Sequence, residues 1–206
     1  MKKKMLLAQQ DSLLQNEHYF QLGTHMHIRH TTAEDEPRVI QVHLEAFGQQ
    51  HGPEIAGLVK DLLHDQTAQP MLSLAAEQNG ELVGHVLFSR AELAEAGQPV
   101  SVRILAPLAV IPEHQSTGVG TLLISHGLEM LRQGGVDLVF VLGHPDYYPR
   151  SGFTPAGVRG LEAPYPIPGK DADAWMVQEL RPGILGKVQG TVRCCEALDK
   201  PEHWRE

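Results

Sequence analysis

The chain has 206 residues, of which 42% are hydrophobic and 20% are charged. This length is sufficient for one well-buried core and too short for two, so we expect one domain. The formal net charge of −8 at pH 7 argues against nucleic-acid or anionic-membrane partners, because neither phosphate backbones nor acidic lipids attract an acidic surface. A cationic amine would suit this charge.

The two cysteines, Cys194 and Cys195, are adjacent, which is neither a disulfide framework nor a metal-ligand spacing. We therefore expect a cytoplasmic protein without a bound metal. At the N-terminus, the apolar run 5–8 is far shorter than the ~7 to 15 residues of a secretory leader. No apolar run approaches the ~18 residues that cross a membrane, so no membrane partner is expected.

Residues 1–25 are mostly polar and are interpreted as an N-terminal extension of uncertain structure, whereas 26–206 are predicted to form the single domain. The abrupt change in pattern makes Met26 an alternative native start. Residues 26–31 are predicted as the first strand.

Two helices and a hairpin are predicted next. Hydroxyl and acidic residues around 31–36 favour a helix start, and Gly48 is expected to end that helix. A second helix is predicted over 53–64, where apolar residues recur at helical spacing. The turn 79–80 reads Asn-Gly, which favours an antiparallel hairpin between strands 71–77 and 82–89. Residues 102–110 continue the sheet.

A strand, a helix and a strand then follow in the order that produces a parallel pair. The helix is predicted over 118–132 and the next strand over 138–142. A ligand is expected at the carboxyl end of the first of these strands. Late strands are predicted at 153–158 and 175–180. The proline-rich loop 163–169 between them is either a lid or a rigid connector, and the connector is favoured.

The turn between strand 102–110 and the following helix is built to hold a diphosphate. Pro112 ends the strand ladder, and Gly118 and Gly120 let the backbone approach a ligand. The first N–H groups of the helix lack intrahelical acceptors and lie at the positive end of the helix dipole. A Walker A loop and a dinucleotide fingerprint both fit poorly, since no lysine follows Gly120 and Leu123 replaces the third glycine. A structural turn that holds nothing is the alternative.

The pattern Gln-x-x-Gly-x-Gly at 115–120, after an apolar strand, resembles the acetyl-coenzyme A motif of the GNAT N-acetyltransferase superfamily. A second motif agrees, because 139–153 resembles the fifth strand, the short helix and the Tyr-x-x-x-Gly-Phe signature of that superfamily. The resemblance extends over roughly 26–180. It implies a mixed α+β fold, with a central mixed sheet of six to seven strands that splays between strands 4 and 5 and has helices on both faces.

The resemblance also implies acetyl-CoA as co-substrate, bound through a set of residues that lies mainly on strand 4 and the turn. Strand 4 splays from strand 5, and Pro107 fits that splay, with a plain β-bulge or edge position as the alternative reading. The implied cofactor-binding residues are Leu108, Ala109, Val110, Gln115, Ser116, Thr117, Gly118, Val119, Gly120, Thr121 and His144.

Two groups are candidates for the chemistry of acetyl transfer. The backbone N–H of Leu108 is placed to polarise the thioester carbonyl. Tyr148 occupies the position from which superfamily members protonate the departing thiolate, and a phenol is protonated at neutral pH. Tyr147 is interpreted as packing, and a core aromatic is the alternative reading for Tyr148. The short helix departs from the family pattern, since Gly143-His144-Pro145-Asp146 has no Asn, which puts the role of His144 in doubt.

The general base and the acceptor are not identified by these motifs. Histidines such as His85 and His114 are of a type that titrates near neutrality, and His43 and Glu45 belong to a helix near which related proteins bind acceptors, but none of them is assigned. The function implied is direct transfer of acetyl from acetyl-CoA to a primary amine, a small molecule or a peptide, in a ternary complex. A non-catalytic acyl-CoA sensor or an interaction module is the alternative. If the chain self-associates, a homodimer is the default expectation.

Overall fold

The computed structural model describes residues 26–204. The predicted N-terminal extension, residues 1–25, lies outside the described residues. Within the described range, nine strands and two long helices follow one another along the chain. In order they are β1 (Met26–His30), α1 (Glu36–His64), β2 (Leu72–Gln78), β3 (Glu81–Leu93), β4 (Val102–Val110), α2 (Val119–Gln133), β5 (Leu138–Leu142), β6 (Thr154–Pro155), β7 (Leu161–Glu162), β8 (Trp175–Glu179) and β9 (Gly190–Cys194).

Seven strands form a continuous path in the order β1-β2-β3-β4-β5-β8-β6. Neighbours along this path are antiparallel except β4 and β5, which run parallel and are connected through α2. β9 pairs with the end of β3, and the short β7 pairs with β9. The predicted fold class, a mixed sheet with a parallel pair of strands 4 and 5, is therefore confirmed, and β7 and β9 add to the predicted six to seven strands.

The helices cover opposite faces of the sheet. Successive residues of a strand point to opposite faces, and two neighbours on β3 show which helix covers each face. A Cβ on Gly84 would contact Leu123 and Val119 of α2, whereas His85 contacts His43 of α1. The core lies between the sheet and these helices. Its largest fully buried side chains include Phe88, Phe140, Phe153, Leu62, Leu74, Leu87, Ile104, Leu105, Leu123 and Ile124.

Helix α1 is broken at Gly48, where the sequence predicts the end of the first helix. Gly48 has φ 67° and ψ −169°, a non-helical conformation that suits a residue without Cβ. The helix resumes directly after this residue, so Pro53 lies inside the second half of α1 and does not begin it. The two predicted helices are thus two halves of one kinked element.

The predicted late strands need correction. The strand predicted over 153–158 is only the two-residue β6, because a 3₁₀ turn, Gly157–Arg159, interrupts it. The strand predicted over 175–180 is confirmed as β8. The sequence did not predict β9. This strand pairs antiparallel with the last residues of β3, which continues beyond the predicted end at residue 89.

Two buried histidines connect α1 to the sheet. His43 and His85 are both 0% exposed, and His43 Nε2 lies 2.9 Å from His85 Nδ1. The other nitrogen of His85, Nε2, lies 2.9 Å from the Ser73 hydroxyl. Burial holds the pKa of both imidazoles well below the ordinary histidine value, and for His85 the neighbouring His43 lowers it further. Both rings are therefore neutral in the folded protein at neutral pH.

We predict that the free energy of unfolding is nearly constant between about pH 7 and 8 and falls below about pH 6. In the unfolded chain each histidine takes up a proton near pH ~6.5, whereas the folded state resists protonation. Each proton that only the unfolded state binds lowers the free energy of unfolding by ~1.4 kcal/mol per pH unit. Urea unfolding at several pH values between about 5 and 8 measures this slope.

His43→Leu tests the assignment, because it removes one of the two core histidines and should make the slope clearly shallower. His126→Gln is the matched control, since His126 is an exposed histidine on α2, and it should keep the wild-type slope. A free energy of unfolding that does not change between about pH 5 and 8 would contradict the prediction.

Candidate active site

A cleft of about 1020 Å³ opens where β4 and β5 separate. Its strand wall consists of β4 and the segment after β5, with the lining residues Ile104, Leu105, Ala106, Pro107, Leu108, Gln115, Leu142, Gly143, His144, Asp146, Tyr147, Tyr148 and Arg150. Its helix–tail wall consists of the second half of α1 and the C-terminal segment, with the lining residues Phe47, His51, Glu54, Ile55, Leu58, Leu198, Glu202, His203 and Trp204.

The separation of β4 from β5 begins after three paired residues. The parallel register runs from Val102 to Ile104 on β4 and goes no further within the described strands. On its other side, β4 has a bulge against β3, where Ala106 and Pro107 together lie opposite Leu87. Both readings of Pro107, the splay and the β-bulge, therefore describe the same place in the fold.

The backbone groups of Leu108 and Val110 point away from β3. Hydrogen-bonded and non-hydrogen-bonded pairs alternate along an antiparallel ladder. The Ile111 N–H donates to the Val83 carbonyl at 3.0 Å, so the pairs at Val110 and Leu108 are of the non-hydrogen-bonded kind. Their N–H and C=O groups face the side that β5 has left. By the same alternation the backbone of buried Ala109 is directed to β3, so its polar groups belong to the sheet.

The turn after β4 presents a series of backbone amides. The Gln115 side chain donates to the Val110 carbonyl at 2.9 Å, and the Thr117 hydroxyl donates to the His114 carbonyl at 2.7 Å. The first helical hydrogen bond of α2 runs from the Leu122 N–H to the Gly118 carbonyl. Within the part of the chain that the structure describes, the N–H groups of residues 116–121 have no hydrogen-bond acceptor. They form a cradle for an anion at the helix N-terminus.

The turn depends on left-handed backbone at two positions. Ser116 has φ 60° and Gly118 has φ 94°. Gly118 is the residue immediately before α2, so its conformation sets the direction in which the exposed amides point.

Gly120 is required for a different reason, the close approach of Tyr147. A Cβ on Gly120 would overlap the Tyr147 hydroxyl. The Tyr147 ring packs edge to face on Tyr148, with centroids 5.2 Å apart, and the Arg150 guanidinium carbon lies 5.9 Å from the Tyr147 ring centre. Tyr147 therefore reaches the amide turn, which sequence reasoning missed when it treated this residue as packing alone.

Tyr148 begins the 3₁₀ turn Tyr148–Ser151 and lines the cleft. Its ring packs edge to face on Phe153, with centroids 5.7 Å apart, and a Cβ on Gly143 would overlap it. The structure thus places Tyr148 in the same cleft as Leu108 and Gln115, as the expected general acid requires.

His144 is exposed and lines the strand wall. Its carbonyl accepts from the Tyr147 N–H at 3.0 Å. The helix that follows it is a four-residue 3₁₀ turn, consistent with the short helix expected from the sequence. His144 is positioned to reach a ligand in the cleft, and no hydrogen bond to its ring occurs among the described residues.

None of the four residues considered as general bases lines the cleft, and these are His43, Glu45, His85 and His114. His43 and His85 are sealed in the core. Glu45 pairs with Arg38 at 2.9 Å. Sequence reasoning instead missed the charged residues of the helix–tail wall, Glu54, Glu202 and His203, because the C-terminal segment follows the last predicted strand and carries no motif.

The chain matches the family model described as an acetyltransferase (GNAT) domain over residues 27–156. It belongs to the GNAT family of acetyltransferases. It is 46% identical over 167 residues to the Escherichia coli K12 protein named uncharacterized N-acetyltransferase YjhQ, which covers 81% of this chain and 90% of that protein.

Solved structures of the same family resemble this fold. The E. coli N-acetyltransferase YhbS in complex with CoA has a TM-score of 0.76 and 28% identity, covering 86% of this chain and 94% of that one. A Brucella melitensis GNAT acetyltransferase in complex with acetyl-CoA has a TM-score of 0.66 and 29% identity, covering 85% and 99%.

Residues 26–204 contain neither a metal-binding cluster nor a membrane-spanning helix. No group of three or more His, Cys, Asp or Glu side chains there is arranged to hold a metal ion. Neither long helix in that range has the length and apolar character needed to cross a membrane.

We predict that Gly118→Ala destabilises the fold by ~1 to 2 kcal/mol, because an L-residue at φ 94° is strained even where there is space for its Cβ. Gly57→Ala is the matched control. A Cβ on Gly57 would also enter open space, with no atom within 4 Å, but Gly57 lies in the helical backbone of α1, where alanine stabilises by ~0.5 to 1 kcal/mol. Urea unfolding measures both, and equal effects of the two substitutions would contradict the left-handed turn.

Proposed function

We propose that this protein transfers the acetyl group of acetyl-CoA to a primary amine, directly, in a ternary complex of both substrates with the enzyme. The observation that carries the proposal is the order of three features from the cleft to the turn beside it. The cleft contains the outward-facing backbone of β4 at Leu108 and the phenol of Tyr148, and Gln115, which also lines the cleft, is followed directly by the open amides of 116–121.

The donor is proposed to bind mainly through backbone. The pantetheine arm lies along β4 beyond Ile104 and pairs with Leu108 and Val110 as an added strand would. The diphosphate accepts from the amides of 116–121, and the dipole of α2 favours its negative charge without a lysine. His144 is proposed as a further contact at the strand wall. Ala109 contributes by holding β4 to β3.

The chemistry is proposed to divide between two groups of the strand wall. The nitrogen of the neutral amine attacks the thioester carbon while the Leu108 N–H donates to the carbonyl oxygen, on which negative charge develops. The carbonyl reforms, the C–S bond breaks, and the amide nitrogen releases its extra proton to solvent. Tyr148 donates its phenolic proton to the departing thiolate and is reprotonated from solvent. The products are the N-acetylated amine and CoA.

The family relationship supports acetyl transfer from acetyl-CoA as the reaction. The relatives that match are named N-acetyltransferases, and two structural neighbours hold CoA or acetyl-CoA.

A cytoplasmic location is proposed from cysteine use, since Cys194 and Cys195 are both free. The burial of Cys194 raises the pKa of its thiol to about 12, so this cysteine is not proposed as a nucleophile.

We predict that Tyr148→Phe lowers kcat by ~10²-fold or more and leaves acetyl-CoA affinity nearly unchanged, because the ring still packs but the proton donor is lost. Thiol release over a panel of primary amines measures the rate, and isothermal titration measures acetyl-CoA binding. Tyr165→Phe is the matched control. It also removes one phenol, which donates to Asp199 at 2.9 Å outside the cleft lining, and should retain wild-type turnover.

The same experiment separates the competing functions. If the wild-type protein binds acetyl-CoA but releases no thiol with any amine class, it is a non-catalytic sensor. If it does not bind acetyl-CoA, it is an interaction module. If it is active and Tyr148→Phe is equally active, the assignment of the general acid is wrong.

A further inference from the structure

The C-terminal turn Pro201–Trp204 forms part of the helix–tail wall and is fixed there by its tryptophan. Trp204 is 3% exposed, and its indole N–H donates to the Leu198 carbonyl at 2.9 Å. Its ring packs edge to face on Trp175, with centroids 5.6 Å apart. Because Trp175 pairs with Leu142 at the end of β5, the turn is anchored beside the strand end from which the Tyr148 segment departs.

The neighbour of Trp204 in this turn is His203, whose ring forms no hydrogen bond with any residue that the structure describes. Its Nε2 atom is buried and has no partner among the described residues. Its Nδ1 atom is not fully buried, and this atom takes part in no side-chain hydrogen bond within residues 26–204. The Nδ1 side of this partly buried imidazole lies in a cleft wall and is therefore available to a ligand.

The charged groups around His203 suit an ammonium group. Glu54 of α1 and Glu202 line the same cleft, and neither forms an ion pair within the described part of the chain. Asp61 and Lys200 lie nearby and pair with each other at 3.7 Å. A cation entering this wall therefore meets two unpaired carboxylates.

The protonation state of His203 is set by these surroundings. Burial lowers the pKa of its imidazole, and Lys200 acts in the same direction. Glu202, Glu54 and Asp61 act in the opposite direction and are outweighed. His203 is therefore neutral at pH 7 and can accept a proton.

We propose that His203 is the general base of the reaction, and this inference rests on the proposed acetyl transfer. An acceptor arrives as an ammonium ion at the helix–tail wall, where Glu54 and Glu202 attract it. His203 takes one proton from it, which frees the nitrogen lone pair to attack the thioester carbon. Tyr148, on the strand wall, returns a proton to the thiolate. The imidazolium then releases its proton to solvent, so one proton is liberated for each acetyl group transferred.

His203→Gln tests the proposal, with His126→Gln as the matched control because His126 lies outside the cleft lining. The measurement is kcat/KM for the best primary amine of the panel, by thiol release, from about pH 6 to 9.5. We expect His203→Gln to lower kcat/KM by ~10²-fold at pH 7. Unfolding temperature and acetyl-CoA affinity should match the wild type, which shows that the variant folds and binds donor.

The pH profile distinguishes a base from a structural residue. In the wild type, kcat/KM should rise through the acid range and reach a plateau. In His203→Gln only the free amine reacts, so log kcat/KM should rise with a slope of about one to the highest pH, and the difference from wild type should shrink. A structural defect would lower kcat/KM equally at every pH.

Two results would overturn the proposal, and they differ. If the wild type is active and His203→Gln behaves as His126→Gln does in rate and pH profile, the assignment of the base is wrong while acetyl transfer stands. If the wild type binds acetyl-CoA but releases no thiol with any amine, acetyl transfer itself is wrong and the base assignment falls with it.

Discussion

The separation of β4 from β5 is the constraint on which the rest of this molecule depends. Buried backbone N–H and C=O groups need partners, and in a continuous sheet the groups of Leu108 and Val110 would find them on the neighbouring strand. Here the parallel pairing ends at Ile104, and the bulge at Ala106 and Pro107 lets β4 stay on β3 while it turns away from β5. The Leu108 N–H and C=O and the Val110 N–H are thereby left facing the gap, while the Val110 carbonyl accepts from the Gln115 side chain.

The electrostatic field at the site is set by nearby groups and differs in sign from place to place, although the chain as a whole is acidic. The formal net charge is −8, which alone would disfavour an anionic donor. The turn at 116–121 compensates through oriented amides and the N-terminal end of α2, both of which act within a few ångströms. The opposite wall carries Glu54 and Glu202, neither of which has an ion-pair partner among residues 26–204, and these carboxylates favour a cation there. The turn after β4 and the helix–tail wall thus differ in electrostatic character, and we propose that they bind substrate groups of opposite charge.

The parts of the site that could be predicted from the sequence are those whose geometry is local. The path from β4 through the turn to α2 depends on Pro112, Gly118 and Gly120 and on apolar periodicity. Its elements were therefore predictable, and so was the parallel pairing of β4 with β5. Tyr148 was predictable because it belongs to a short motif with Gly152 and Phe153. Gly48 likewise marked the break in α1, although the helix resumes earlier than Pro53.

The parts that could not be predicted depend on contacts between distant segments. β9 at Gly190–Cys194 pairs with a strand about a hundred residues away along the chain, and its sequence has no pattern that names its partner. The contact of Tyr147 with Gly120 and the presence of Glu54 and His203 in one cleft are also products of tertiary packing. Periodicity shows which face of an element is apolar but not which segment packs against it, so the helix–tail wall is visible only in the folded chain.

A crystal structure of the complex with CoA tests the central claim most directly. We expect diphosphate oxygens within hydrogen-bond distance of amides between Ser116 and Thr121, a pantetheine arm paired with Leu108 and Val110, and the sulfur near the Tyr148 hydroxyl. CoA bound with its diphosphate away from this turn, or with pantetheine outside the gap between β4 and β5, would contradict it.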